Sequence, residues 1–153
     1  MFNNQFILSL PDEWKETTVY TFEGPQGIGV KQNLVLMIDR SVDKNTMLDA
    51  YVHGRTDSLR QTLPEFELLS ETPSAIAGNA AIVVTYKYLP ANSMPLYQKQ
   101  YYIQKGTVVY LFTSTFNKKS LQTTAPEIDK IVSETTILDE KDVEKFITNN
   151  LFY

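Results

Sequence analysis

The side chain best suited to acid–base chemistry near neutral pH is His53, the only histidine in the sequence. It lies in a segment of helical periodicity, and neither spacing nor context assigns it a nucleophilic partner. The sequence contains no cysteine, which rules out thiolate catalysis, disulfide bonds and cysteine-based zinc sites. We therefore interpret His53 as a solvent-facing or structural residue, and we predict no catalytic residue, no metal site and no cofactor.

Two pairs of adjacent carboxylates are the next candidates for acid–base catalysis, Asp12-Glu13 and Asp139-Glu140. Each pair stands where the pattern predicts a turn or the start of a helix. Because negative charge is favourable at the start of a helix, we expect both pairs to cap a turn or helix and not to act in acid–base catalysis.

A glycine-rich loop covers residues 24–29 and holds three of the six glycines. It lacks the Gly-Lys-Ser/Thr ending of a phosphate-binding loop and does not open a periodic helix. The alternating carboxylates Asp39 and Asp43 likewise lack the glycine-centred loop of a calcium site. Since no active site can be recognised, the sequence predicts a protein that is not an enzyme.

Composition places the chain among ordinary globular proteins, with 42% hydrophobic and 21% charged residues. Its 153 residues suit a single domain over residues 1–153. The net charge of −4 and the scattered basic residues argue against nucleic-acid binding. No basic and apolar leader opens the sequence, and no apolar run reaches membrane-spanning length. We therefore expect a cytoplasmic protein without stable membrane insertion.

Apolar patterning predicts a series of β-strands, over residues 6–10, 19–22, 34–38, 66–70, 76–89, 96–104 and 107–115. Turns are predicted at Gly78-Asn79 and, between the last two strands, at Lys105-Gly106. Residues 80–84 are apolar on both faces, which indicates a central strand.

Helical spacing of apolar residues predicts three helices, over residues 48–63, 126–135 and 139–150. Asp43 or Asn45 is the expected N-cap of the long first helix, and Pro64 ends it. Asp139 is the expected cap of the last. The order of elements gives an α+β fold, an antiparallel sheet with one long helix after the third strand and C-terminal helices packed on it.

A stripe of small side chains on the long helix favours a binding role. Ala50, Gly54, Ser58 and Thr62 recur at every fourth residue. Such a stripe lets a second helix approach closely. The alternative is that it seats the helix on its own sheet.

A second feature that favours a binding role lies on the strand predicted over residues 96–104. Alternation places Gln98, Gln100, Tyr102 and Gln104 on one face. Amides on an otherwise apolar surface can hydrogen-bond a partner. The alternative is an ordinary solvated sheet face, which the pattern alone slightly favours.

The sequence resembles the DcrB-like family in short segments that keep their order from residue 6 to about residue 136. The opening segments are Phe6…Leu10-Pro11-Asp12-Glu13-Trp14 and Thr18-Val19-Tyr20-Thr21-Phe22. Later segments are Tyr51-Val52…Leu59…Leu63-Pro64-Glu65-Phe66, Ile76-Ala77-Gly78-Asn79-Ala80-Ala81, Gln98-Lys99-Gln100-Tyr101-Tyr102, Val109-Tyr110-Leu111-Phe112-Thr113-Ser114-Thr115 and Ile131-Val132-Ser133. Each segment is a weak motif, and their order and spacing carry the resemblance.

Within that family the sequence is most similar to the Eag chaperones of type VI secretion systems. This resemblance implies a PsbP-like fold, a homodimer, and the task of shielding the N-terminal transmembrane helices of a secreted effector protein before it is loaded for secretion. It also implies an apolar client-binding groove formed by Val19, Thr21, Met37, Arg55, Leu59, Leu63 and Gln100. Arg55 departs from the family, which has a second anchoring glutamine there. An arginine donates hydrogen bonds but accepts none and brings a charge.

Two other functions stay open on the sequence alone. One is a general DcrB-like envelope or binding domain of unknown ligand, whose leader has been removed. The other is an enzyme or a small-ligand binder that uses the same groove. The sequence shows no group of residues that would form such an active or ligand-binding site.

Overall fold

The computed structural model describes residues 9–14, 17–25, 31–91 and 93–151. These residues form six strands, β1 (Thr18–Glu23), β2 (Asn33–Asp39), β3 (Glu67–Ile76), β4 (Asn79–Tyr88), β5 (Leu96–Lys105) and β6 (Val108–Phe116). They also form four helices, α1 (Leu48–Thr62), α2 (Lys118–Thr123), α3 (Ala125–Ser133) and α4 (Glu140–Leu151).

The strands form one antiparallel sheet in the order β1-β2-β6-β5-β4-β3. The long helix α1 follows β2, crosses one face and packs mainly on β4 and β5. Helices α2 and α3 pack on the other face, against β5 and β6. The predicted α+β class is therefore confirmed, and β4 is an internal strand as residues 80–84 indicated.

The strand predictions differ from the structure at two places. The prediction over residues 6–10 lies largely outside the described residues, and Ser9 and Leu10, which are described, are not in a strand. The second difference is that β3 is continuous through Pro73, where the sequence predicted a break. Proline is tolerated there because β3 lies at the sheet edge and pairs with β4 alone.

Both predicted hairpin turns are displaced by one residue. Between β3 and β4 the turn residues are Ala77 and Gly78, whose φ angles of 53° and 75° match the mirror-image turn that suits strand twist. Between β5 and β6 they are Gly106 and Thr107, with Gly106 at φ 61°. The sequence placed each glycine in the correct turn, but at the wrong position within it.

The helix ends were predicted with mixed success. Met47 is the N-cap of α1 and makes no side-chain cap, so the predicted caps Asp43 and Asn45 are wrong. Asp43 instead accepts a hydrogen bond from the Asn45 backbone in the preceding turn (2.8 Å). The prediction that Asp139 caps α4 is confirmed, because its side chain accepts a hydrogen bond from the backbone N–H of Asp142 (2.8 Å).

Helix α2 was not predicted as a separate element. Asn117 and Ser120 cap its first turn reciprocally, each side chain bonded to the other's backbone. Thr124 then separates it from α3, which ends at Ser133, two residues before the predicted end.

Each face of the sheet carries its own core. Beneath α1 lies a buried cluster of Leu48, Val52, Ile82, Val84, Tyr86, Tyr102, Val109 and Leu111. Beneath α2 and α3 lies a second cluster, of Leu34, Ile76, Ala81, Tyr101, Ile103, Phe112, Phe116, Ala125, Ile128 and Val132. The sheet is thus buried on both faces at its centre, whereas β1 is exposed on both faces from Val19 onward.

Candidate functional site

Strands β1 and β2 form an open shelf beside α1. Val19 lies opposite Met37, and Thr21 lies opposite Val35 in the antiparallel register. Alternation places these four side chains on the face that carries α1. Val19 is 54% exposed, and Met37 packs at the margin of the core beneath the helix. The shelf is therefore an apolar surface that α1 borders but does not cover.

One flank of α1 forms the wall of this shelf. Tyr51, Arg55 and Leu59 follow one another at every fourth residue and so lie along one side of the helix. The Tyr51 hydroxyl donates a 2.7 Å hydrogen bond to Asp39 Oδ2 on β2, which shows that this side faces the shelf. We call the space between this flank and the shelf the α1-side groove.

The opposite flank of α1 carries His53. Its Nε2 lies 3.0 Å from Glu71 Oε1 on β3, and its side chain is 63% exposed. His53 is therefore solvent-facing, which is one of the two interpretations that the sequence allowed.

Arg55 and Met37 line the same pocket, of about 540 Å³, at one end of the α1-side groove. The other lining residues are Thr17, Ile38, Asp39, Arg40 and Ser41. Arg55 therefore faces the groove, as the resemblance implied. Its Nε atom is buried and has no hydrogen-bond partner among the described residues.

Asp39 is held in place by three hydrogen bonds within this pocket. It accepts from the Ser41 backbone (2.9 Å), from Ser41 Oγ (2.7 Å) and from Tyr51. Partial burial raises the pKa of Asp39, but these bonds and the nearby Arg55 charge outweigh burial and hold the pKa below its usual value. Burial and the bond to Asp39 raise the pKa of Tyr51 to about 12. Both groups therefore keep one protonation state around neutral pH.

Gln100 lies at the floor of the groove, below its open part, because it is only 5% exposed. The buried hydroxyl of Tyr102 donates a 2.6 Å hydrogen bond to Gln100 Oε1. Burial raises the pKa of Tyr102, and the neighbouring Arg55 guanidinium opposes that rise. The two polar positions predicted from the resemblance, Arg55 and Gln100, are thus connected through Tyr102.

The predicted glutamine face exists, but it is not a solvated face. Gln98, Gln100, Tyr102 and Gln104 do point to the same side, and that side is the one that carries α1. Gln98 accepts from Tyr86 and donates to Thr115 Oγ1 (3.1 Å), while Gln104 donates to the Thr46 carbonyl (3.3 Å). Most of these amides are engaged within the chain. The Nε2 of Gln100 has no partner among the described residues.

The stripe of small residues on α1 faces solvent. Ala50, Gly54, Ser58 and Thr62 are all exposed, and a Cβ atom built on Gly54 would have no neighbour within 4 Å. The alternative in which the stripe seats α1 on its own sheet is therefore wrong. Ser58 and Thr62 border the groove flank, because they lie three and seven residues after Arg55.

The seven predicted groove residues thus lie on one side of the sheet, at different depths. Met37 and Arg55 line one pocket, and Val19 lies opposite Met37 while Thr21 lies one pair further along β1. Leu59 and Leu63 are half-buried against the core. Gln100 is buried. Sequence reasoning missed Tyr51 and Asp39 as groove residues, although the four-residue spacing of Tyr51 and Arg55 was a readable signal for the first. It placed Tyr102 on the glutamine face but did not predict its bond to Gln100.

The part of the chain that the structure describes contains neither a cluster of metal ligands nor a membrane-spanning helix. Within it, no group of three or more histidine and carboxylate side chains could hold a metal ion. No helix there combines the length and apolar character needed to cross a bilayer. Most of the glycine-rich loop over residues 24–29 lies outside the described residues.

The opposite face of the sheet has an apolar pocket of about 480 Å³ between β2 and α3. It is lined mainly by apolar side chains, among them Phe22, Leu34 and Ile131. Tyr20 and Phe22 point to this face, whereas Val19 and Thr21 point to the other. A substitution at one of these β1 positions therefore changes one surface of the sheet and leaves the other unchanged.

Comparison with solved structures supports the fold. A Pseudomonas aeruginosa protein, PA94, described as a protein of unknown function and candidate regulator, is 22% identical with a TM-score of 0.74. The match covers 86% of this chain and 91% of that one. No curated protein sequence matches the chain.

Two further structures share the fold at lower similarity. LpqN of Mycobacterium tuberculosis, involved in cell envelope biogenesis, is 13% identical with a TM-score of 0.56, over 81% of this chain and 85% of LpqN. PsbP (CyanoP) of Synechocystis is 14% identical with a TM-score of 0.53, over 67% of this chain and 65% of PsbP. The expected PsbP-like fold is confirmed.

The family profile named DcrB matches residues 7–134, which is most of the sequence and includes the whole α1-side groove. The chain belongs to the DcrB family.

Proposed function

We propose that this DcrB-family domain is a binding protein without enzymatic activity, and that its α1-side groove holds an apolar helix of another polypeptide. The observation that supports this most is the exposed apolar shelf around Val19 and Met37, bordered by the flank of α1 that carries Arg55. An apolar surface that a soluble domain leaves open beside a helix is a favourable place for a second helix.

The energetics favour such an occupant. Covering apolar surface contributes about 25 cal/mol per Å², so a helix that exposes several hundred Å² in water gains several kcal/mol from the groove. The exposed small residues Gly54 and Ser58 add a surface on α1 that a client backbone can approach closely.

The ionisable groups of the pocket argue against catalysis. Arginine stays protonated, and Asp39 has a lowered pKa, so neither suits proton transfer near neutral pH. Tyr51, with a pKa of about 12, is equally unsuited. These groups are better explained as a polar end to an otherwise apolar binding surface.

In its finer form, the proposal is that the client is the N-terminal transmembrane region of an effector of a type VI secretion system. The domain would then act in the cytoplasm as an Eag-type chaperone and would form a homodimer, which presents two grooves through one symmetric interface. The support is the resemblance across the chain, the pocket that Met37 and Arg55 share, and the position of Val19 and Thr21 on the same face of the sheet.

A second candidate is an envelope or binding domain of the wider DcrB family with another ligand. Family membership and the shared fold of LpqN, which is involved in cell envelope biogenesis, favour it. The gene sequence upstream of Met1 separates the two candidates, because an encoded leader with a lipid-acceptor cysteine would favour the envelope domain.

Co-expression tests the chaperone proposal. The domain would be produced with an effector encoded beside it that begins with apolar helices, and with the same effector lacking those helices. We expect co-purification only when the helices are present. Equal recovery of the shortened effector would contradict the proposal.

A further inference from the structure

The carboxylates of this chain are unevenly distributed along its sequence. Residues 72–126 contain five lysines and neither an aspartate nor a glutamate, although the net charge of the whole chain is −4. In the structure this stretch forms the end of β3, then β4, β5, β6 and α2. The lysines of this part of the molecule can therefore pair only with carboxylates of other segments or with an anion from outside the chain.

Three of the five lysines pair with carboxylates from β3, α3 and α4, at distances between 2.7 and 3.6 Å: Lys87 with Glu67, Lys99 with Asp129 and Lys105 with Asp142. The other two, Lys118 and Lys119, lie in the first turn of α2 and form no ion pair with the described residues. Both side chains are exposed, so a ligand can reach their charges.

Both lysines line a pocket of about 540 Å³ between α2 and the loop before β5, which we call the α2 pocket. The wall that faces the lysines is apolar and consists of Met94, Pro95, Leu96 and Tyr97. Met94 is 76% exposed, more than any other large hydrophobic side chain of the described residues. The lining contains no carboxylate, and the volume lies in the range of small-molecule sites.

Both walls of the α2 pocket are held by hydrogen bonds within the chain. The backbone N–H of Ser93 donates to the Pro90 carbonyl at 3.2 Å and so fixes the loop. On the other side, Asn117 and Ser120 cap the first turn of α2 reciprocally. A ligand therefore enters a pocket whose walls are already formed, which lowers the entropic cost of binding.

From this combination we infer that the α2 pocket binds an amphiphile with one apolar chain and an anionic head group. The apolar wall covers the chain, and the ammonium groups of Lys118 and Lys119 pair with the head group. Lysine suits this role because its stem packs along apolar surface while its charge stays in water. The inference goes beyond the proposed function and does not depend on it, because the α2 pocket and the pocket at the end of the α1-side groove have no lining residue in common.

Three amphiphiles with the same decyl chain test the inference on the intact protein: decyl sulfate, decyl maltoside and decyltrimethylammonium, each below its critical micelle concentration. NMR titrations of the backbone amides give each Kd and locate the residues that respond. We expect decyl sulfate to shift the amides around Met94 and Lys118. It should bind about tenfold more tightly than decyltrimethylammonium, with decyl maltoside between the two.

Two double variants test the lysines. In Lys118→Gln with Lys119→Gln, the affinity for decyl sulfate should fall about fivefold, and the affinity for decyl maltoside should stay unchanged. Lys130→Gln with Lys141→Gln removes the same charge at exposed positions outside the pocket, and it should leave both affinities within about twofold.

Two single variants test the apolar wall. Met94→Gln should weaken the binding of all three amphiphiles, because their shared chain loses an apolar contact. Met47→Gln is the matched control, since Met47 is 70% exposed and does not line the pocket. It should weaken none of them.

Co-sedimentation with phosphatidylglycerol vesicles identifies the source of the chain. Vesicle binding that is lost in the Lys118 and Lys119 double variant would assign it to a bilayer lipid, and decyl sulfate binding without vesicle binding would assign it to a free amphiphile. Either result supports the site. The inference would be overturned by absence of binding, by equal affinity for the three amphiphiles, by an unchanged Kd for decyl sulfate in the lysine variant, or by amide shifts confined to the α1-side groove.

Discussion

The hydroxyl of Tyr102 lies 2.6 Å from Oε1 of Gln100, inside the core beneath α1. Gln100 is 5% exposed and Tyr102 is fully buried, so this bond satisfies an amide oxygen that water cannot reach. Because Arg55 also interacts with Tyr102, the bond links the polar end of the groove to the sheet. Tyr102 thus interacts with both polar residues, Gln100 and Arg55, that the resemblance placed in the groove.

Tyr102→Phe should therefore destabilise the fold by about 1–3 kcal/mol, because it leaves Gln100 Oε1 buried without a donor. Urea unfolding followed by circular dichroism measures the change. Tyr110→Phe is the control, since the Tyr110 hydroxyl makes no hydrogen bond with the described residues, and it should shift stability by less than about 0.5 kcal/mol. Equal losses of stability in the two variants would show that the hydrogen bond between Tyr102 and Gln100 does not stabilise the fold.

Asp39→Asn should lower stability by about 1–2 kcal/mol at pH 7, because it weakens three hydrogen bonds to a charged acceptor. The folded-state pKa of Asp39 lies below its unfolded value. Its contribution is therefore fully present above the unfolded pKa, about 3.9, and is lost as the pH falls through the lower folded pKa.

The difference between the unmodified protein and Asp39→Asn should thus be constant from pH 5 to 7 and should shrink below about pH 4. Thermal melts across that range check it. Asp57→Asn, on the exposed side of α1, is the control and should change stability at pH 7 by less than about 0.5 kcal/mol. A difference that grows at low pH would contradict the assignment.

Asp129→Ala should destabilise the docking of α3 by about 1–2 kcal/mol. Asp129 accepts from the Tyr101 hydroxyl and pairs with Lys99 at 2.7 Å, and Tyr101 is 3% exposed. Its removal leaves a buried hydroxyl without an acceptor. Glu127→Ala on the same helix should cost at most about 0.5 kcal/mol, and chemical unfolding compares the two. Equal effects would contradict a specific role for Asp129.

Gly54→Ala should raise stability by about 0.5–1 kcal/mol, since a glycine inside a helix costs that much and the added methyl group meets nothing. The same change at Gly78, where φ is 75°, should destabilise, because alanine disfavours that conformation. If Gly54 borders the client, Gly54→Ala should also weaken binding of a synthetic apolar helical peptide of about 20 residues. Higher stability with unchanged affinity would exclude Gly54 from the client contact.

The fold was largely predictable because its signals are local. A run of strong β-formers located β1, a continuous apolar run located β2, helical spacing located α1, and glycines at positions 78 and 106 marked the two hairpins. The errors lie where tertiary context decides. Pro73 continues a strand only because that strand is an edge, and α1 starts at Leu48 without the side-chain cap that Asp43 suggested.

The candidate site was less predictable from the residues alone. The positions Val19, Met37 and Arg55 are far apart in the sequence, and only the resemblance grouped them before the strand register brought them together. The depth of Gln100 could not be read from alternation, which gives the face of a strand but not whether a helix covers it. Asp39 and Tyr51 were missed as groove residues because their hydrogen bond joins two elements, β2 and α1.

The most direct test of the groove uses two neighbouring residues on β1. Val19 and Tyr20 are 54% and 42% exposed and point to opposite faces of the sheet, so either can become glutamate without burying a charge. The measurement is the Kd, by fluorescence anisotropy, of a synthetic apolar helical peptide of about 20 residues with lysines at each end for solubility. It is determined for the unmodified protein, Val19→Glu and Tyr20→Glu, with thermal melts to verify folding. If the α1-side groove holds the client, Val19→Glu should weaken binding at least tenfold and Tyr20→Glu should leave it within about twofold. Unchanged binding in Val19→Glu, or a loss confined to Tyr20→Glu, would contradict the assignment of the groove.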